Sequence, residues 1–183
     1  KVDIPRIVNY IDKEIMKGDI AEAKLFNPDF IIANMHWGLE YERIPSREQR
    51  ELADWLLRQG VDLVIGSHPH VVQPMELRRG KEGVTDRLVV YSLGNFISNM
   101  SREHTDGGVM VKVVLGRKGL RRYIVSAQYS LIYSSRYKNE QGKEDIRVVP
   151  AASWSGKNQN SSFSVDSALI KYVNNTRLFL KGN

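Results

Sequence analysis

Apolar residues form two short runs in this chain, with an amphipathic segment between them. Phe30–Ala33 and Val61–Ile65 are almost wholly apolar, which is typical of strands covered on both faces. Between these runs the pattern predicts a helix from Ser46, a capping residue, to about Gln59, with Gly60 as its stop. The order strand, helix, strand predicts a right-handed parallel crossover.

Helical and strand patterns continue on both sides of this unit. Apolar residues at helical spacing predict a helix from Asp3 to Phe26, with a stop at Gly18 and a restart at Asp19. After residue 70 the pattern changes to short strands, a charged loop and a final helix. In chain order these are strands Gln73–Leu77 and Arg87–Ser92, hairpin strands Gly108–Leu115 and Arg121–Tyr133, loop Ser134–Asp145, strand Arg147–Ala151 and helix Ser164–Leu180. The predicted fold class is α/β (α+β).

Length and composition are those of one globular domain, with 183 residues, 42% of them apolar and 26% charged. No apolar run approaches the length of a membrane-spanning helix, and no signal peptide is visible. Because the first residue is Lys1, we expect a processed or truncated product that has lost its targeting segment. The absence of cysteine excludes disulfides, thiolate metal sites and cysteine nucleophiles.

The net charge of +6 is distributed unevenly along the chain. Residues 1–70 carry 9 Lys and Arg against 12 Asp and Glu, whereas residues 71–183 carry 18 against 9. The basic part either faces an anionic polymer, phosphate or lipid headgroups, or is simply a solvated surface. Since the basic residues are scattered without interleaved aromatic residues, no nucleic-acid partner is predicted.

Three of the four histidines follow the two predicted central strands. His36 comes at the end of the first strand, and His68 and His70 flank Pro69 after the second. Pro69 should push His68 into an extended conformation, in which residues two apart point to the same side. Because sites in open α/β sheets form at the carboxyl ends of strands, we expect the three imidazoles to converge on one cleft and bind metal.

Four further residues are candidates for the same site. Glu40 and His36 are the catalytic candidates, and Glu40 is either a general acid/base, a metal ligand or a residue that orients an imidazole. Trp37 either forms a substrate wall or packs in the core. Tyr41 is a substrate-binding candidate, and Asn95 binds either a substrate oxygen or a loop backbone.

Three motifs resemble those of the bacterial capsule-synthesis protein CapA family. They are His36-Trp37-Gly38-x-Glu40-Tyr41, Gly66-x-His68-Pro69-His70-Val71-x-Gln73-Pro74 and Tyr91-Ser92-Leu93-Gly94-Asn95-Phe96. The resemblance spans residues of about 30 to 115, and the family is associated with poly-γ-glutamate capsule. It belongs to the calcineurin-like metallophosphoesterase superfamily, which implies a β-sandwich flanked by helices. It also implies two divalent ions (Mn, Zn or Fe), with His36 and His68 ligating one and His70 the other.

The superfamily also uses an Asp-rich strand end, a bridging Asp and an Asn-His pair, none of which precedes His36 here. We therefore interpret residues 1–183 as the C-terminal part of one metallophosphoesterase-like domain. In this interpretation residues 1–115 carry the motifs, and residues 116–183 form a peripheral hairpin, loop and terminal helix. Three neutral imidazoles do not neutralise two divalent ions, so we expect the chain alone to hold an incomplete site.

Two functions follow from these observations. The first is metal-dependent hydrolysis or transfer on a phosphate ester or on a polymer-linked anionic substrate. The second is a non-catalytic module that binds or assembles an envelope polymer through the basic part of the chain. The expected partners are an anionic small molecule or polymer, the missing N-terminal half or a second copy, and membrane-associated capsule machinery. The resemblance implies the bacterial cell envelope, outside the cytoplasm or anchored through a missing N-terminal segment.

The two apolar strands lead to a first testable prediction about assembly. If neighbouring strands are missing, an apolar edge is exposed, and each apolar side chain left in water forgoes about 1.5–3 kcal/mol. The free energy forgone by a handful of such side chains would exceed a typical net folding stability of about 5–15 kcal/mol. We therefore expect the missing half or a second copy to cover this edge, as measured by light scattering and mass spectrometry. A monodisperse monomer of 20.9 kDa without a bound fragment would contradict it.

Overall fold

Two β-sheets pack face to face, with helices on their outer sides. The structure is a computed structural model that describes residues 9–80, 86–119, 121–151 and 167–182. The first sheet has strand order β1-β2-β4-β3 and the second has β5-β6-β7. The elements are α1 (Lys13–Leu25), β1 (Ile32–His36), α2 (Arg47–Gln59), β2 (Leu63–Ser67), β3 (Met75–Arg78), β4 (Arg87–Val90), β5 (Gly107–Lys118), β6 (Arg121–Lys138), β7 (Glu144–Pro150) and α3 (Ser167–Lys181). The predicted α/β class is confirmed.

Three apolar clusters hold these layers together. The first joins α1 and α2 to the outer face of the first sheet through Leu56, Val64 and Val89, among others. The second joins α3 to the second sheet. The third lies between the sheets, where Leu63, Leu88 and Val90 of the first meet Ile124 of the second. The assignment of all 183 residues to a single domain stays a prediction.

Helix α2 forms as the sequence predicts. Ser46 and Gln49 make a reciprocal capping box, in which each side chain accepts a hydrogen bond from the other residue's backbone N–H. Gly60 ends the helix with φ 100°, a conformation that costs glycine little. Strands β1 and β2 flank the helix and pair in parallel, which confirms the predicted parallel arrangement.

Helix α1 is shorter than predicted within the described residues, and it is continuous. It begins after Asp12, whose side chain accepts hydrogen bonds from the backbone of Glu14 and Ile15. The predicted start at Asp3 lies outside the described residues, and the predicted interruption at Gly18 is wrong. One exposed glycine lowers helix stability by only about 1 kcal/mol, so the helix continues through Gly18 without a break.

Both central strands begin two residues later than the apolar runs suggested. His36 is the last residue of β1, at the end of the strand as predicted. The side chain of Asp62, inside the second run, is buried and accepts a hydrogen bond from the backbone N–H of Ile31 at 2.9 Å. This carboxylate joins the two chain segments ahead of the first paired residues, Ile32 and Leu63.

The second sheet is longer than predicted. The predicted charged loop Ser134–Asp145 is wrong, because β6 continues to Lys138 and β7 begins at Glu144. Only residues 139–143 remain as a turn, in which Asn139 accepts hydrogen bonds from two backbone N–H groups. The first part of this charged stretch, residues 134–138, is instead a strand whose backbone pairs with β7.

Strand β1 is the edge strand of the first sheet in the described part of the chain. Ile32 on this strand is 51% exposed, and an apolar groove lined by Met16, Ile20 and Ile31 separates the strand from α1. This is the exposed apolar edge on which the assembly prediction rests. Within the described residues, no helix combines the length and the apolar character needed to cross a membrane.

The sheet packing predicts opposite effects of alanine at two glycines. A Cβ at Gly66 would collide with the Tyr91 carbonyl and the Trp37 indole nitrogen, whereas a Cβ at Gly18 meets nothing within 4 Å. We expect Gly66→Ala to lower the free energy of unfolding by about 3 kcal/mol or more. Gly18→Ala, the matched control, should raise it by about 0.5–1 kcal/mol. Urea denaturation measures both, and equal effects would contradict the packing described here.

Candidate metal centre

Parallel pairing places the ends of β1 and β2 side by side. His36, at the end of β1, is paired with Ser67, at the end of β2. His68 follows directly, and its ring centroid lies 4.6 Å from that of His36. The rings of His68 and His70 are 6.0 Å apart, so the three imidazoles are brought together as predicted.

The backbone that presents His68 and His70 is not extended. His68 has φ 102° and His70 has φ 61°, so the expectation that Pro69 holds His68 extended is wrong. A tight turn with left-handed residues brings the imidazoles together in place of strand alternation. Tyr41 and His104 also have positive φ, each at 68°. Non-glycine residues in this region are strained, and such strain tends to concentrate at functional sites.

One group of side chains in the described part of the chain has the spacing of a metal site. Glu40, His68 and His70 each offer a ligand atom, and these atoms all lie within 4.8 Å of one another. His36 is outside this group although its ring is next to His68. The structure thus adds Glu40 to the histidines, in the metal-ligand role that the sequence left open. The ligand assignment of His36 stays a prediction.

Asn95 determines which nitrogen of His70 is free. The Asn95 Nδ2 donates a hydrogen bond to the Thr105 carbonyl at 3.0 Å, so the amide oxygen faces the other way. That oxygen lies 3.0 Å from the His70 Nδ1, which must therefore carry the proton. In the neutral ring this leaves the Nε2 lone pair available, the arrangement found in metal-binding histidines. Asn95 thus binds a loop backbone and orients an imidazole; its role in binding substrate stays a prediction.

The free nitrogen of His70 faces a carboxylate. Its Nε2 lies 3.8 Å from a carboxylate oxygen of Glu40. With the Nδ1 protonated, these two atoms are both electron-pair donors, and they repel each other unless a cation or a proton lies between them. One carboxylate and two imidazoles form a donor set that suits Mn²⁺, Zn²⁺ or Fe²⁺. The residues therefore fit the divalent metal that the motifs imply.

A buried pair of amides holds the loop that carries Glu40. The Gln49 Nε2 donates to the Gln73 Oε1 at 2.9 Å, and the Gln73 Nε2 donates to the Glu42 carbonyl at 2.8 Å. The backbone N–H of Tyr41 also donates to the Pro69 carbonyl at 2.8 Å. Gln73 lies within the second motif, but the sequence alone does not assign it a role. A polar residue between apolar positions was the available signal.

The two aromatic candidates differ in position. Trp37 is only 4% exposed, and its indole N–H donates to the Tyr91 carbonyl at 2.9 Å. It packs in the core, which is one of the two roles that the sequence left open. Tyr41 is half-buried, and its ring stacks on that of His70 with centroids 6.1 Å apart. Of the two, Tyr41 lines the candidate centre.

His104 lies in the neighbouring loop and does not join the metal group. Burial lowers its pKa below the usual value, and the positive charge of Arg43 lowers it further. His104 is therefore a neutral imidazole at pH 7. Arg102 in the same loop places its guanidinium carbon 4.1 Å from the centroid of the Tyr41 ring. Sequence reasoning did not find Arg102, because no local pattern marks a contact between distant loops.

Comparison with known proteins identifies what this chain is similar to. The profile of the family described as bacterial capsule synthesis protein PGA_cap matches residues 2–100, more than half of the chain. The PGA biosynthesis protein CapA of Bacillus subtilis (strain 168) is 35% identical over 115 residues, which cover 63% of this chain and 28% of that protein. The capsule biosynthesis protein CapA of Bacillus anthracis is 35% identical over 107 residues, covering 58% and 24%. The matched region is about a quarter of the length of these relatives.

The buried amide pair supports a prediction about stability. We expect Gln73→Leu to lower the free energy of unfolding by about 2–4 kcal/mol, because the Gln49 amide and the Glu42 carbonyl lose their partner. The double variant Gln49→Leu/Gln73→Leu should lose less than the sum of the two single changes, since both polar partners are then removed.

Gln128→Leu is the matched control, because Gln128 is exposed on β6. Chemical denaturation should show a change of no more than about 0.5 kcal/mol for this control. If Gln73→Leu were as mild as the control, the amide pair would not hold the loop.

Proposed function

The chain belongs to the bacterial capsule synthesis family PGA_cap, and on that basis we propose that it supports capsule biosynthesis through metal-dependent chemistry. The proposed reaction is hydrolysis or transfer on a phosphate ester or on a polymer-linked anionic group. The proposed location is the bacterial cell envelope, in keeping with the capsule biosynthesis names of the relatives.

The observation that carries the proposal is the pair of facing electron donors on His70 and Glu40. Asn95 favours a proton on the His70 Nδ1, so in the neutral ring the Nε2 lone pair is left for the space beside the Glu40 carboxylate, 3.8 Å away. His68 supplies a third ligand atom within the same 4.8 Å. A folded protein retains such a cluster of donors at low cost only when a cation or proton joins them.

Each residue has a role in the proposed chemistry. Glu40, His68 and His70 would hold the ion, which when bound supplies Lewis-acid polarisation of a phosphoryl or acyl oxygen. His36, beside His68, is the residue that we assign to proton transfer, with Glu40 as the second catalytic candidate. Tyr41, whose ring contacts His70 and Arg102, would line the region where the substrate binds.

The substrate is proposed to be anionic. Residues 71–183 carry 18 Lys and Arg against 9 Asp and Glu, and this excess attracts negatively charged molecules. The names of both relatives refer to capsule or PGA biosynthesis, which favours a poly-γ-glutamate-related chain.

The same charge supports a second candidate function, a module that holds an anionic envelope polymer without transforming it. Only one carboxylate joins the two imidazoles of the metal group within the described residues. That donor set matches one divalent ion better than two. In this case the metal would stabilise the loops and the basic surface would bind the polymer.

Titration calorimetry tests the metal centre. We expect at most one Mn²⁺ or Zn²⁺ per chain, bound weakly because a single carboxylate contributes charge. His68→Ala and Glu40→Gln should each weaken binding by about tenfold or more, since each removes one of three ligands. His104→Asn is the matched control, since it changes a nearby histidine outside the metal group and Asn tolerates a positive φ.

Two tight sites per chain would contradict this assignment, as would equal binding by His68→Ala and His104→Asn. Turnover then separates the two functions. Release of p-nitrophenol from bis-p-nitrophenyl phosphate, dependent on Mn²⁺ and lost in Glu40→Gln and His36→Ala, supports the enzyme. Polymer binding without metal-dependent turnover supports the binding module.

A further inference from the structure

We propose that Arg102 binds a second anionic group of the substrate, a carboxylate or phosphate beyond the one held at the metal centre. This inference rests on the proposed function, and it names the residue that recognises an anionic chain. Its basis is the contact of the Arg102 guanidinium with Tyr41, the tyrosine that stacks on His70.

The position of Arg102 is defined by a closed series of contacts. Its carbonyl accepts hydrogen bonds from the Thr105 backbone N–H at 3.1 Å and from the Thr105 hydroxyl at 2.6 Å. Thr105 is fully buried, and its own carbonyl accepts from Asn95, which also holds His70. The loop bearing Arg102 is therefore tied to a metal-ligand candidate through its backbone.

The side chain closes the series from the other direction. The guanidinium carbon of Arg102 lies 4.1 Å from the Tyr41 ring centroid, and the Tyr41 ring is 6.1 Å from that of His70. A cation over an aromatic ring is held in place without using its N–H donors. The planar group of Arg102 thus keeps its forked donors free while it lies one ring away from His70.

The charge of Arg102 is not neutralised by the protein. Within the described residues no carboxylate forms an ion pair with Arg102, although the neighbouring Glu103 lies 3.9 Å from His104. Other arginines of the chain do have carboxylate partners, such as Arg78 with Asp54 and Arg117 with Asp29. An exposed, pre-positioned and unpaired guanidinium next to a metal centre is suited to bidentate binding of a carboxylate or phosphate.

The geometry selects substrates with more than one negative charge. The metal would take one anionic or carbonyl group, and Arg102 would take another on the same molecule. A chain of repeated carboxylates meets this requirement, and so does a molecule with two phosphates. A neutral chain of the same length does not.

The test measures binding of a fluorescein-labelled glutamate decamer by anisotropy, with Mn²⁺ present, and competition by inorganic tripolyphosphate. Arg102→Gln should weaken binding of the decamer by about tenfold to a hundredfold, because a charged hydrogen bond is lost. The affinity of Arg102→Lys for the decamer should lie between those of the wild type and Arg102→Gln, since lysine keeps the charge but lacks the paired N–H donors. A glutamine decamer, which carries no side-chain charge, should not bind. If tripolyphosphate displaces the labelled decamer more strongly than the unlabelled glutamate decamer does, the site is assigned to phosphate.

Arg121→Gln is the matched control. Arg121 also lies over a tyrosine, with its guanidinium carbon 5.9 Å from the Tyr123 ring, but at the turn between β5 and β6. This end of the hairpin is opposite the end that contacts Asn95, so binding should change by less than twofold.

The outcomes separate this inference from the proposed function. If Arg102→Gln and Arg121→Gln weaken binding of the decamer equally, the inference is wrong, because only net charge then matters. If neither variant weakens binding, the inference is also wrong, because Arg102 then does not contact the decamer. If the wild type binds no metal but Arg102→Gln still weakens binding of the decamer, the proposed metal chemistry is wrong and the anion site is supported. We expect Arg102→Gln to bind Mn²⁺ like the wild type in calorimetry.

Discussion

The parallel pairing of β1 with β2 is the interaction on which the rest of the structure depends. It aligns His36 with Ser67, so the loops that follow both strands leave the sheet at the same edge. Gly66 makes this possible, since the carbonyl of Tyr91, just after β4, and the indole of Trp37, just after β1, both approach it more closely than a side chain allows. His36 ends β1 and Glu40 follows it, while His68 and His70 follow β2, so this pairing brings the four residues to one edge of the sheet.

Side-chain amides then hold the loops that follow the strands and so define the candidate site. Gln73 and Gln49 hold the loop of Glu40, and Asn95 holds His70 and the loop of Thr105. Amides suit this task because each presents a donor and an acceptor without a charge that would need compensation in the interior. The strained backbone at His68 and His70 persists because these contacts surround it on several sides.

The distribution of charge follows from the same arrangement. Glu40 is the carboxylate of the metal group, and the imidazoles bring no negative charge, so the centre suits one cation. Arg102 stands nearby with its charge unpaired within the described residues, over a ring that also contacts His70. This arrangement is the basis of the proposal that a negatively charged molecule is bound at two points.

The sequence by itself determined the elements and the motifs. The apolar runs and the Ser46 cap predicted the strand–helix–strand unit, and three histidines at strand ends predicted where the site lies. These features follow from residues a few positions apart, whose spacing alone sets local backbone preference and the face that is buried.

Only the tertiary structure decided which side chains meet. It placed Trp37 in the core, added Glu40 to the metal group, left His36 beside it and brought Arg102 over Tyr41. It also extended the second sheet through a segment that looked like a charged loop. The physical reason is that such contacts join loops far apart in the chain. Their positions depend on sheet register and on buried hydrogen bonds, neither of which leaves a local pattern.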